Sequence, residues 1–151
     1  MAAAALPIEL RARDRWVLWN PRKVPLQVDG QAASSTNPAT WTSYGRVFGR
    51  PRIGFVLGDG IGCIDLDHCL VDGIPDDAAR RFLDRMPETY VEISPSGTGL
   101  HIWGRSPEGP GTRRVVDGLS VETYSVGRYI TVTGRRFAGA VSELADLSFA
   151  L

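Results

Sequence analysis

The stretch Cys63-Ile64-Asp65-Leu66-Asp67-His68 holds the residue types and spacing best suited to chemistry. Side chains alternate along an extended strand, so Ile64 and Leu66 take one face and Asp65 and Asp67 the other, roughly 7 Å apart at Cα. Carboxylates that close repel unless something cationic sits between them, and a divalent metal with its preference for hard oxygen ligands is the usual answer. The plain alternative is the solvated face of an edge strand. Further polar residues fall on other alternating stretches: His101 between Leu100 and Ile102, Glu122 between Val121 and Thr123, and, as a second-rank candidate, Glu92 between Val91 and Ile93. Singly, His101 reads as a satisfied imidazole and Glu122 as a solvated sheet residue. Their coincidence with the turn Ser94-Pro-Ser-Gly-Thr-Gly99 makes them a constellation. Ser96, Gly97, Thr98 and Gly99 offer hydroxyls and backbone N–H groups that can cradle a phosphate, and glycine permits the positive-φ geometry of such a cradle.

Other sites are excluded by spacing. The single lysine, Lys23, lacks the Gly-rich context of a Walker A loop, and no Gly-x-Gly-x-x-Gly follows a strand. Lys23 reads as plain surface, with a phosphate contact as the alternative. Cys63, His68 and Cys69 have the wrong spacing for a common zinc site. Two cysteines make no disulfide framework, and both read as reduced thiols of a cytoplasmic protein.

The elements that must position these residues form an α+β pattern on an antiparallel sheet. Pro7 to Arg13 suits a helical turn or two, and Arg15 to Trp19 an apolar strand. Trp41, Tyr44, Val47 and Phe48 are spaced for a short helix over Thr40–Phe48. Ile53 to Leu57, the Asp59-Gly60 turn and the Asp-x-Asp stretch predict a β-hairpin. Pro75 opens a helix carrying Ala79, Phe82, Leu83 and Met86 on one face, ended by Pro87. Strands follow at Tyr90–Ser94, Leu100–Trp103, Leu119–Tyr124 and Arg128–Thr133. Arg105 to Gly118 reads as a loop, and Val141 to Leu151 as a helix.

The totals describe one domain: 151 residues, 43% hydrophobic, with 17 basic and 17 acidic residues that cancel. A zero net charge gives no global attraction to nucleic acid or membrane, so a polyanion would have to be met by local clusters. Such clusters exist at Arg46, Arg50 and Arg52, and at Arg105, Arg113, Arg114, Arg135 and Arg136. The opening Met1 to Leu6 is too short for a signal-peptide core, and no apolar run reaches membrane length.

Three segments in order resemble the motifs of the archaeo-eukaryotic primase superfamily, most closely the primase-polymerase domains of phages and plasmids. They are Ile64-Asp-Leu-Asp-His68, Glu92-Ile-Ser-Pro-Ser-Gly-Thr-Gly-Leu-His-Ile-Trp103 and Val121-Glu-Thr-Tyr-Ser-Val-Gly-Arg-Tyr-Ile-Thr-Val-Thr-Gly134. The likeness covers roughly residues 15–136, and its specificity lies in the combination. It implies an RRM-like antiparallel catalytic core at about 53–136, an N-terminal αβ unit at about 1–52, a tail or helix at about 137–151, and an active site between unit and core. It implies Asp65, Asp67 and Glu122 as catalytic ligands of two Mg²⁺ or Mn²⁺ ions, and Ser96, His101 and Arg128 as binders of the nucleotide triphosphate. The activity implied is template-directed synthesis of DNA or an RNA primer from dNTPs or NTPs in phage- or plasmid-type replication. Its partners would be a DNA template and primer, with a helicase or helical primase segment supplied elsewhere. Two other classes fit less well: a non-catalytic nucleic-acid-binding module, which would need exposed aromatics on the sheet, and a metal-dependent nuclease or replication initiator.

Overall fold

A computed structural model describes residues 6–148. Among the described residues, two large, mainly antiparallel sheets, a small two-stranded one and three short α-helices make an α+β fold. Helix α1 (Ile8–Arg11) is one turn that buries Leu10. Strands β1 (Trp16–Trp19), β2 (Pro25–Leu26), β3 (Ile53–Val56) and β11 (Tyr129–Val132) form a four-stranded antiparallel sheet in the order β11-β3-β1-β2. Strands β4 (Ile61–Asp67), β8 (Leu100–Arg105), β9 (Thr112–Val116), β10 (Leu119–Tyr124) and β12 (Ala145–Asp146) form the second sheet, ordered β12-β8-β4-β10-β9. Strand β7 (Val91–Ile93) shares the outer edge of β8 with β12, β7 antiparallel and β12 parallel. A small hairpin, β5 (Leu70–Val71) with β6 (Ile74–Pro75), follows β4.

One core lies where the first sheet and α1 meet one face of the second sheet. It includes Trp16, Phe55, Leu57, Ile61, Cys63, Tyr90 and Trp103. Its rings make a continuous contact: Trp16 to Phe55 at 5.3 Å between centroids, and Phe55 to Trp103 at 5.9 Å, both edge-on. The other core lies on the opposite face, where helix α3 (Asp77–Asp84) brings Ala79 and Phe82 against Ile64, Leu66, Leu100, Ile102 and Val121. Asp76 caps that helix by accepting from Ala79 N at 2.8 Å. The expected apolar face is present, with Leu83 and Met86 packed at its margin.

Several expectations are corrected. The Asp59-Gly60 turn is real, with φ of 55° and 84°, but β3 and β4 do not pair as a hairpin. Both edges of β3 are taken by β1 and β11, and both edges of β4 by β8 and β10, so the turn carries the chain from one sheet to the other. The sheet that holds β1 and β2 also takes in β3 and β11 from beyond residue 52. The helix expected over Thr40–Phe48 shrinks to a 3-10 turn (Pro38–Thr40) and α2 (Tyr44–Val47). Between them Thr42 is held extended by paired bonds with Trp16, and Phe48 is exposed. The expected loop from Arg105 to Gly118 contains β9, returned onto β10 by an Asp117-Gly118 turn with both φ positive. The expected C-terminal helix is absent from its described part, residues 141–148: β12 pairs with β8, and Leu147 packs on Gly104 where a Cβ would overlap its side chain. The remainder of that helix, and nearly all of the opening Met1 to Leu6, lie outside the described residues. Among the described residues no helix is long and apolar enough to cross a membrane.

Candidate active site

Strand register aligns the polar residues across the second sheet. Glu92 on β7 stands opposite His101 on β8, His101 opposite Asp65 on β4, Asp65 opposite Glu122 on β10, and Glu122 opposite Arg113 on β9. Directly opposed residues share a face, so five strands contribute one polar row. One pleat away runs an apolar row in which Cys63 opposes both Trp103 and Tyr124. One pleat the other way, Asp67 opposes Ser120. The same face thus passes from packed core to carboxylates within a few residues, and a cleft opens at that transition.

The cleft has a volume of about 490 Å³ and takes walls from both sheets. Asp65, Asp67, Ser96 and His101 lie on one side; Lys23, Ser35 and Arg128 approach from the other. Burial is the largest influence on the Asp65 carboxyl and raises its pKa, with Asp67 and Glu122 adding to the rise while His101 and Lys23 oppose it. His101 is nearly buried, with Nε2 3.9 Å from Asp65 Oδ1 and Nδ1 3.1 Å from Glu92 Oε2. The Arg128 guanidinium lies 3.9 Å above the Tyr124 ring, which holds its planar group at the mouth of the cleft.

The other expected residues are placed differently. Glu122 adjoins Asp65 by register, but its carboxylate accepts from the Tyr124 hydroxyl and lies 3.6 Å from Arg113 Nε. Among the described residues no three His, Cys, Asp or Glu side chains converge as a ready metal site. The turn from Ser94 to Gly99 is not the open cradle its composition predicts. Gly97 N donates to Ser94 O, Thr98 N to Ser96 Oγ, and Gly99 N to Ser94 Oγ. What the turn offers the cleft is Ser94, Pro95 and Ser96. Thr98 O also receives Cys69 N and Leu70 N, which ties the turn to the end of β4.

Two residues matter more than their sequence context showed. Lys23 is held at φ 63° in a tight turn, with its carbonyl accepting the Tyr129 hydroxyl at 2.5 Å, and its side chain reaches the cleft. Its separation in sequence from the carboxylates hides this. Glu92 points not to solvent but into the protein, with no exposed surface. Its place between Val91 and Ile93 was the one available signal. Cys63 and Cys69 are free, buried thiols outside the cleft wall.

Fold and cleft together define an α+β protein with two carboxylates, an imidazole and two cations around one opening. Comparison with known proteins makes this specific. Residues 4–146 match the family described as bifunctional DNA primase/polymerase, N-terminal, and the chain belongs to that family. It is 37% identical over 153 residues to a DNA primase-polymerase of Nitratiruptor phage NrS-1, a match that covers 89% of this chain and 21% of that protein.

Proposed function

We propose that this chain is the nucleotidyl-transfer domain of a replication enzyme, extending a DNA or RNA primer along a DNA template from dNTPs or NTPs. The observation that carries the reading is that Asp65, Asp67 and His101 face Lys23 and Arg128 across a cleft of nucleotide size, with Glu122 next to Asp65 in strand register. In this reading the second sheet with α3 is the RRM-like core, the first sheet is the N-terminal unit, and the reaction takes place between them.

Asp65, Asp67 and Glu122 would hold two Mg²⁺ or Mn²⁺ ions. The donor set fits: it is all carboxylate oxygen, and the raised Asp65 is the mark of clustered, partly buried anions that a cation would relieve. When bound, they would supply activation of the primer 3′-hydroxyl and stabilisation of the leaving pyrophosphate. Glu122, whose carboxylate meets the Tyr124 hydroxyl and lies 3.6 Å from Arg113 Nε, would be the third ligand. His101 directs Nε2, and Ser96 its hydroxyl, toward the triphosphate. Arg128, steadied on Tyr124, and Lys23 offset the charge that develops on the phosphates. Template grip and initiation draw on a helical segment or helicase elsewhere, in keeping with a relative of which this chain spans about a fifth.

Primer extension and primer-independent synthesis, run in parallel with dNTPs or NTPs and Mg²⁺ or Mn²⁺, test the reading. Metal-dependent products that disappear in Asp67→Ala are expected. Cleavage of single-stranded DNA without nucleotide incorporation would place the chain among nucleases instead.

A further inference from the structure

Glu92 has no exposed surface and lies next to the proposed nucleotide site without touching the cleft. A buried carboxylate is costly unless every lone pair is met, and here the account closes. Oε1 accepts from the Tyr90 hydroxyl at 3.0 Å and from Gly134 N at 3.1 Å. Oε2 accepts from Thr133 N at 3.1 Å and stands 3.1 Å from His101 Nδ1. An ionised carboxylate is an acceptor only, so a ring nitrogen facing it carries the proton. With Nδ1–H committed to Glu92, the ring plane is set and Nε2 faces Asp65 and the cleft.

The other two donors do something further. Thr133 and Gly134 follow β11, a strand of the first sheet, whereas Glu92 and His101 belong to the second. Backbone bonds continue the join: Ile93 N to Arg135 O, and Phe137 N to Val91 O. One carboxylate therefore fixes the imidazole and anchors the end of the strand that begins beside Arg128.

We infer that Glu92 is a positioning residue, which holds His101 with Nε2 toward the phosphates of the incoming nucleotide. This rests on the nucleotide role of His101 proposed above. Gln at position 92 has the right shape but one acceptor oxygen, and its NH₂ group opposes backbone N–H donors.

Two measurements test the inference. In the free wild-type protein, long-range ¹H–¹⁵N correlations of the His101 ring are expected to show a protonated, slowly exchanging Nδ1; an unprotonated Nδ1 overturns it whether or not any variant folds. Calorimetric binding of dATP with Mg²⁺ is then compared among wild type, Glu92→Gln, His101→Ala and the double variant. Losing one charge-assisted contact predicts affinity about 10- to 100-fold weaker in Glu92→Gln. In the His101→Ala background the same substitution should change affinity less than about 2-fold. Equal losses in both backgrounds mean a merely structural carboxylate and overturn the inference. If His101→Ala leaves dATP affinity unchanged, the nucleotide role of His101 fails and the positioning role with it, while the Nδ1 proton still reports separately on the contact.

Discussion

Replacing Asp65 with Asn should make the metal-free protein more stable at neutral pH while removing its activity. Burial, then Asp67 and Glu122, push the Asp65 carboxyl above its ordinary value against the opposing pull of His101 and Lys23. The folded chain thus holds the Asp65 proton more tightly than the unfolded chain. Stability from this residue therefore falls as pH rises from the ordinary aspartate range through the raised folded value, and the cost persists at neutral pH. Adjacent and opposed strand positions put the charges roughly 5–7 Å apart. Coulomb's law then gives about 2–3 kcal/mol per pair at an effective dielectric of about 20, and about 0.6–0.8 kcal/mol in water. The side chains of Asp65 and Asp67 are 34% and 50% exposed, so the lower end applies. After the opposing His101, about 1 kcal/mol remains, or roughly 2–4 °C in Tm for a chain of this size. Thermal unfolding in EDTA should show Asp65→Asn melting above wild type near about pH 8, the gap closing toward about pH 4. Added Mn²⁺ should raise only the wild type, because a ligand stabilises the state that binds it. A variant that melts below wild type throughout in EDTA would refute the claim that burial and the neighbouring carboxylates make the ionised Asp65 a net cost to the fold.

Lys23→Ala should raise the nucleotide KM by about 10-fold. Its stability should change by no more than about 0.5 kcal/mol, because the side chain is exposed. Steady-state kinetics beside a melting curve separates the two effects. In Gly99→Ala the new Cβ would lie 2.7 Å from the carbonyl oxygen of Leu66, the residue between the two aspartates, and 3.1 Å from Ser94 Oγ. The backbone must give way, so a loss of about 1–3 kcal/mol in denaturant unfolding is expected, together with reduced extension. Burial pushes the Cys69 thiol up to about 11 and raises fully buried Cys63 well above its usual value. Neither should react with a disulfide reagent near neutral pH until the protein is unfolded, as absorbance titration will show.

Much of the chemistry was legible in one dimension because strand alternation is a local property. The two-residue step from Asp65 to Asp67 puts both on one face whatever the strand pairs with, and motif order alone pointed to the family that residues 4–146 match. The α+β class followed in the same way. Pairing was not legible. The same Asp-Gly signal produces a sheet-to-sheet crossing at Asp59-Gly60 and a hairpin at Asp117-Gly118. A turn reverses the chain locally, whereas which strand edges meet depends on partners far away in sequence. Tertiary structure also decided the charge environment. It brought Lys23 to a cleft with Asp65, turned Glu122 toward Arg113, and closed the turn before His101 upon itself. Glu92 shows the division most clearly. Alternation placed it opposite the apolar face, where solvent is the default, but the strand end at Thr133 and Gly134 covers it and supplies the donors that make burial tolerable. Local periodicity sets the direction of a side chain, and only the packed chain determines what it meets there.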